Sequence, residues 1–153
     1  MVGGTVNRRM APGADPFHTT INVLKGLLEH ERATGGSPDL QRARQRGEEF
    51  LLERRMLRRL STGELIDSAF TQLSFPTGYH YDVLRGLEYL RNAGSRPDAR
   101  MAEAIDIVAS KRGADDRWPL ENVHPDQLEA DPGEIEGQPS RWNTLRALRV
   151  LDW

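Results

Sequence analysis

One six-residue phrase occurs three times along this 153-residue chain. It reads NVLKGL at 22–27, DVLRGL at 82–87 and NTLRAL at 143–148, so the copies begin 60 and then 61 residues apart (82 − 22 and 143 − 82). Near-equal spacing on this scale is typical of repeat proteins, in which one structural unit recurs and packs against its neighbours. The repeat predicts that the chain folds as a series of equivalent units.

Each copy of the phrase has the apolar spacing of an amphipathic helix. Two stripes have equivalent positions: Val23, Leu24, Leu27 and Leu28, and then Val83, Leu84, Leu87 and Leu90. We expect the leucines to face a core and the basic fourth residue to point to water. Glycine or alanine at the fifth position would allow close packing between helices.

A second helix follows each of the first two copies. Both second helices begin with Pro-Asp, at Pro38 and Pro97, a strong helix start because proline has no N–H to leave unpaired in a first turn and a carboxylate suits the dipole. Glycine-containing turns at 34–37 and 92–96 would join each pair of helices into a hairpin. The third copy belongs to a fifth, unpaired helix, and long irregular segments at 56–78 and 113–139 connect the units.

Composition excludes several classes of protein. Cysteine is absent, so the chain has no disulfide, no thiolate nucleophile and no cysteine-ligated metal, which fits a cytoplasmic protein. A net charge of −2 gives no overall attraction for nucleic acid, and we expect no nucleic-acid partner. The sequence leaves membrane association open without indicating it. We interpret residues 1–17 as a flexible leader and residues 18–153 as one helical-repeat domain.

The second helices resemble the QW motif of squalene cyclases and, more loosely, of protein prenyltransferase β subunits. That motif runs basic, Gly or Ala, two residues, aromatic, aliphatic, three residues, Gln, three residues, Gly, one residue, Trp. The later copy keeps this spacing with Arg in place of Gln and Asp in place of Gly: Ala104, Ile107, Val108, Arg112, Asp116 and Trp118. The earlier copy keeps the first half: Arg46, Gly47, Phe50, Leu51 and Arg55.

This resemblance implies an all-α fold in which helical hairpins form an arc of an α/α toroid. The phrase helices would form the inner ring, the QW-like helices the outer ring, and the two long segments would gather at the mouth. The chain holds about two and a half repeats, whereas a full toroid has more. We therefore expect a homo-oligomer or a partner chain that completes the array.

The first residue of each phrase would contribute to a polar arc near the mouth of such a toroid. Asn22, Asp82 and Asn143 would lie there beside a set of aromatic residues: Tyr79, Tyr81, Trp118 and Trp142. Rings around a few polar groups suit an apolar or isoprenoid small molecule. The alternative is structural, with Asn and Asp forming hydrogen bonds in early helical turns and the rings sealing one hairpin against the next.

Candidate catalytic residues are few. Asp82 and His80 are the candidates for an acid, while the acidic turn at Asp115 and Asp116 lacks the first Asp of the cyclase Asp-x-Asp-Asp motif. The four histidines have no ligand spacing, so no metal and no cofactor are predicted.

Three functions stay open on the sequence. The first is a non-catalytic or partial toroid module that provides an apolar cavity or an assembly surface. The second is a small isoprenoid-processing enzyme of the terpene cyclase or prenyltransferase type. The third is a helical-repeat module that binds another protein.

Overall fold

A computed structural model describes residues 11–124 and 133–153 of the chain. Helix accounts for 54% of the described residues, and the only sheet among them has two short strands. The fold is therefore largely helical, as the predicted all-α class requires apart from this one pair of strands. The five α-helices of the described residues are α1 (Asp15–Thr34), α2 (Pro38–Glu53), α3 (Val83–Asn92), α4 (Ala102–Ser110) and α5 (Arg141–Leu151). Strands β1 (Trp118–Pro119) and β2 (Pro139–Ser140) pair antiparallel. Short 3₁₀ helices at Ser68–Thr71 and Ala99–Met101 complete the order.

Local sequence signals set the ends of the first hairpin. The helix α1 ends at Gly35, whose φ of 82° is left-handed and whose N–H donates to the Glu31 carbonyl at 2.8 Å. The helix α2 begins at Pro38, and the Ser37 hydroxyl accepts from the Leu40 N–H at 3.2 Å. In the second hairpin Asp98 caps a 3₁₀ turn before α4, so this helix starts later than the Pro97 signal predicts.

The three phrase helices form one layer. The helix α3 packs against both α1 and α5, while α2 packs on α1 and α4 packs on α3 and α5. The two predicted helical hairpins and the unpaired fifth helix are therefore present. The described helices establish the helical class, and the toroidal ring stays a prediction.

The core extends into the long connection between the hairpins. Phe17 of α1 packs its ring against Phe70 at 5.1 Å and Tyr81 at 5.2 Å between centroids, and both of these partners come from residues 56–82. Met56 and Leu73 of the same connection are also fully buried. This segment therefore supplies part of the hydrophobic core as well as linking two helices.

The two long connections also contact each other. The Leu73 carbonyl accepts from the Glu121 N–H at 2.8 Å, the Leu73 N–H donates to the Glu121 carboxylate at 2.8 Å, and Ser74 forms an isolated bridge with Asn122. Lys111, at the end of α4, pairs with the same Glu121 carboxylate at 2.7 Å. These bonds attach the first connection to the second.

Three details of the sequence interpretation need correction. The leader boundary after residue 17 lies too late, since α1 starts at Asp15 and both Ala14 and Phe17 are fully buried; residues 1–10 lie outside the described part. The basic residue of the phrase does not always point to water: Arg85 and Arg146 are buried. Val23 belongs to the predicted core stripe but is 52% exposed, because α1 has a neighbouring phrase helix, α3, on one side only.

No helix among the described residues is both long enough and apolar enough to cross a membrane.

Candidate binding groove

The three phrase helices share a groove of about 540 Å³ on one face of their layer. Residues of α1, α3 and α5 line it, together with Phe75 and Thr77 from the connection before α3. Its volume lies in the range typical of ligand sites. The groove thus uses the same element from each repeat, and the basic residue of all three phrases, at positions 25, 85 and 146, is part of its lining.

Charged side chains make up nearly half of this lining, seven of fifteen residues. Five are cationic and two are carboxylates, which leaves an excess of three positive charges: Lys25, Arg32, Arg85, Arg146 and Arg149 against Glu29 and Glu88. The whole chain carries a net charge of −2, so the positive charge is a local property of the groove. Such a surface favours an anionic ligand.

Two of the arginines are fixed by hydrogen bonds that run from one repeat to another. Arg85 donates to the Asn22 side-chain oxygen at 3.1 Å and to the His80 carbonyl at 2.9 Å. Arg146 donates to the Ser74 carbonyl at 2.8 Å and to the Glu88 carboxylate at 2.8 Å. Burial lowers the pKa of Arg85, an effect that Asp82 opposes, but a guanidinium keeps its charge in proteins.

Asp82, a predicted catalytic acid, has a structural position. It is the N-cap of α3: one carboxylate oxygen accepts from the Arg85 N–H at 2.9 Å, and the other accepts from the Ser74 hydroxyl at 2.8 Å. Burial raises the pKa of this carboxyl, and the positive charge of Arg146 works in the opposite direction. Asp82 is buried and is not among the residues that line the groove.

His80, the other predicted acid, lies in a cluster of rings above the start of α3. Its ring stacks on His124 at 3.7 Å between centroids and approaches His18 at 5.6 Å. Tyr79, a predicted ligand contact, is half-exposed at the edge of this cluster, and its hydroxyl lies 3.1 Å from the Thr19 hydroxyl. Asn22 donates to the Tyr79 carbonyl at 2.8 Å. None of these residues lines the groove.

Three further predicted ligand contacts are buried and bonded within the fold. The Tyr81 hydroxyl donates to the Met56 carbonyl at 2.7 Å, and the Trp118 indole N–H donates to the Val108 carbonyl at 2.7 Å. The Asn143 amide donates to the Pro119 carbonyl at 3.1 Å. These contacts correspond to the structural alternative, in which the side chains hold helices and connections together.

The polar arc at the helix starts is not formed as expected. Asp82 caps α3, whereas Asn143 follows the Ser140 cap of α5 and Asn22 lies well inside α1, which starts seven residues earlier (22 − 15). The first residue of the phrase therefore lies at a different distance from the helix start in each of the three helices.

Trp142 is the one predicted ligand residue that lines the groove. Its ring is 39% exposed and stacks on Phe75 with 5.5 Å between centroids and 17° between planes. Leu145, one turn further along α5, is 42% exposed and lines the groove beside it. One end of the groove therefore presents an apolar platform, defined here by Phe75, Trp142 and Leu145.

The groove cations were not among the predicted site residues. The recurrence of a basic residue at the fourth position of each phrase was the available signal, because a charge repeated once per repeat marks one face of the array. The sequence predicts a solvated charge because basic side chains are seldom buried without partners. The partners of Arg85 and Arg146 include the Asn22 side-chain oxygen, the Ser74 carbonyl and the Glu88 carboxylate, which are 58 to 72 residues away in sequence.

The acidic turn after α4 is solvated. Asp115 and Asp116 are exposed; the Asp115 carboxylate accepts from the Arg117 N–H, and Asp116 pairs with Arg112 at 2.9 Å. Within residues 11–124 and 133–153, no group of three His, Cys, Asp or Glu side chains is arranged to hold a metal ion.

The chain was compared with protein-family models, with curated proteins and with solved structures, and none of the three comparisons gives a match. The resemblance to cyclase and prenyltransferase repeats therefore stays a prediction based on its motif residues.

Proposed function

We propose that this chain is a non-catalytic helical-repeat module that binds a segment of another protein in the groove of α1, α3 and α5. One observation carries the proposal: the groove of about 540 Å³ is lined by equivalent positions of all three phrase helices, such as Lys25, Arg85 and Arg146. Repeat proteins use the surface that their units share for binding.

The positions of the two predicted catalytic residues favour a binding function over an enzymatic one. A general acid must lie within hydrogen-bond reach of its substrate, and neither Asp82 nor His80 lines the groove. Seven of the fifteen lining residues are charged, so the groove suits a polar partner better than an isoprenoid chain. A cytoplasmic location, predicted from the absence of cysteine, belongs to the same proposal.

Selection of short random peptides displayed on phage tests this function without assuming a ligand. Peptides that bind the wild-type protein are then measured against Leu145→Ala, which removes an exposed groove side chain. We expect this variant to lose about tenfold in affinity, the size typical of a moderate interface contact.

Leu65→Ala is the matched control. Leu65 is 38% exposed, close to the 42% of Leu145, but it lies in the connection between the hairpins, outside the groove. Both variants should keep the melting temperature of the wild type. Selection of no peptide, or equal losses in the two variants, would refute the groove as a binding surface.

Assembly is a second candidate function, favoured by the exposed side of α5. Leu84 and Leu87 of α3 are fully buried, but their phrase equivalents Leu145 and Leu148 are exposed because α5 has a neighbouring phrase helix, α3, on one side only. A second copy of the chain is the partner that would continue the array.

A further inference from the structure

We propose that the partner segment is an acidic peptide, bound in extended form across the three helices with one apolar side chain on the platform of Phe75, Trp142 and Leu145. This inference rests on the proposed function and assigns the chemistry of the ligand.

Of the exposed charged side chains in the groove, three are cations without an ionic partner among the described residues and one, Glu29, is a carboxylate. Lys25 and Arg149 are exposed and make no hydrogen bond or ion pair through their side chains with the described residues. Arg32 uses one guanidinium nitrogen on the Asn92 carbonyl, a bond that leaves its charge uncompensated. Of the two carboxylates, Glu88 is already neutralised by Arg146 at 2.8 Å. Glu29 alone therefore opposes three free cations, and carboxylates of a ligand would complete the charge balance.

The positions of these cations fit a chain that crosses the helices. Lys25 and Arg32 belong to α1, at one side of the groove, and Arg149 belongs to α5, at the other side. Neighbouring helices pack with about 8–10 Å between axes, so the groove spans roughly 16–20 Å from α1 to α5. An extended peptide rises about 3.3 Å per residue, so five or six residues bridge this distance. Carboxylates near both ends of such a segment can then reach cations on both outer helices.

The apolar platform favours contact with an apolar side chain of the ligand. Trp142 and Leu145 line the groove and are 39% and 42% exposed, and the stack with Phe75 holds the indole in place. Aromatic rings supply large contact area with little loss of side-chain freedom, and they are frequent energetic centres of interfaces. A ligand with acidic residues and no apolar side chain would leave this platform exposed, so the segment must contain both.

A protein segment fits this surface better than a nucleic acid. Arg85 and Arg146 are buried and each donate at least two of their N–H groups to carbonyls or side chains of the fold, which holds them in place and limits their reach to phosphates. Nucleic-acid affinity depends on several phosphate contacts, and the overall charge of −2 adds no long-range attraction. Two or three carboxylates match the number of free cations.

Fluorescence anisotropy with two labelled peptides tests the inference directly. One peptide alternates Glu and Leu and contains one Phe; the second has the same sequence with Gln in place of every Glu. We expect the wild-type protein to bind the acidic peptide about tenfold more tightly than the Gln peptide, and added salt to weaken the acidic complex selectively.

Charge-reversal variants test whether the acidic peptide binds in the groove. Lys25→Glu and Arg149→Glu should each lower affinity for the acidic peptide by about three- to tenfold. Arg46→Glu is the matched control, because Arg46 is an exposed α2 arginine outside the groove and undergoes the same change of charge. It should leave affinity within about twofold of the wild type. All three side chains are exposed, so the variants should fold normally by circular dichroism.

Three outcomes would overturn the acidic-peptide assignment. Equal affinity for the Glu and Gln peptides would remove the role of charge. An equal effect of all three reversals would place the binding elsewhere. Tighter binding of a labelled oligothymidylate, lost in the same groove variants, would identify a nucleic acid instead. If the Gln peptide binds and Leu145→Ala abolishes that binding, the groove function stands and only the acidic ligand is wrong.

Discussion

Glycine occupies the fifth position of two phrases, but its two occurrences have different surroundings. A Cβ added at Gly86 would lie 2.7 Å from the Tyr81 hydroxyl oxygen and 2.8 Å from the Met56 terminal methyl, both buried. A Cβ added at Gly26 would meet nothing within 4 Å. The close packing predicted for this position is therefore needed at Gly86, while at Gly26 the glycine only weakens the helix.

Alanine substitution at the two glycines should give opposite results. We expect Gly86→Ala to lower the free energy of unfolding by about 1–3 kcal/mol, because the buried Tyr81 and Met56 must move to admit a methyl group. Gly26→Ala should raise it by about 0.5–1 kcal/mol through better helix propensity. Urea denaturation of both variants measures the difference, and a stabilised Gly86→Ala protein would contradict the close approach.

The roles of residues whose partners are close in sequence could be predicted, whereas the roles of residues whose partners are far away in sequence could not. Gly35 ends α1 through a bond to Glu31, four residues away, so its role follows from the chain around it. Arg146 is fixed by the Ser74 carbonyl, 72 residues away, and no local pattern indicates that partner. Trp118 and Asn143 were predicted as ligand contacts because aromatic and amide side chains suit both binding and packing, and their type does not distinguish the two.

At the level of elements, a histidine of α1 forms one of the hydrogen bonds between this helix and the residues at the start of α3. The His18 Nδ1 atom accepts from the Tyr81 N–H at 2.8 Å, one residue before the cap of α3. Burial lowers the pKa of His18 below its usual 6.5, and the nearby His80 lowers it further; Asp67 and Asp15 act in the opposite direction, and Arg85 adds a smaller lowering. Protonation of Nδ1 would remove the acceptor and break this contact.

Stability should fall in mild acid because of this contact. The unfolded chain binds a proton on His18 at a higher pH than the folded chain does, so the contribution is fully present above pH 6.5. It is lost as pH falls through the lower pKa of the folded state. His18→Asn offers an amide oxygen to the Tyr81 N–H and does not titrate, so we expect thermal melts of this variant to depend less on pH between neutral and mildly acidic conditions.

His30→Asn is the control for this experiment, because His30 is an exposed residue of the same helix. It should keep the pH dependence of the wild type. The same dependence in His18→Asn as in the wild type would show that groups other than His18 determine the acid response.

At the scale of the whole molecule, the open side of α5 predicts self-association. We expect sedimentation equilibrium to give a dimer, and Leu148→Glu combined with Leu151→Glu to give a monomer, because two carboxylates would be buried without partners. Leu65→Glu is a suitable control, since Leu65 is comparably exposed at 38% but lies in the connection between the hairpins. A monomeric wild-type protein at all concentrations would exclude this assembly.

The contact between the two long connections determines how the molecule can come apart. In a simple repeat array each unit contacts only its neighbours, so units can unfold one after another from an end. Here the bonds of Leu73 and Ser74 to Glu121 and Asn122 join segments about 48 residues apart, and core side chains of the first connection lie beneath α1. Neither hairpin can detach without exposing the core of the other. The chain repeats like a solenoid in sequence, yet its folding is expected to be all-or-none, as in a single globular domain.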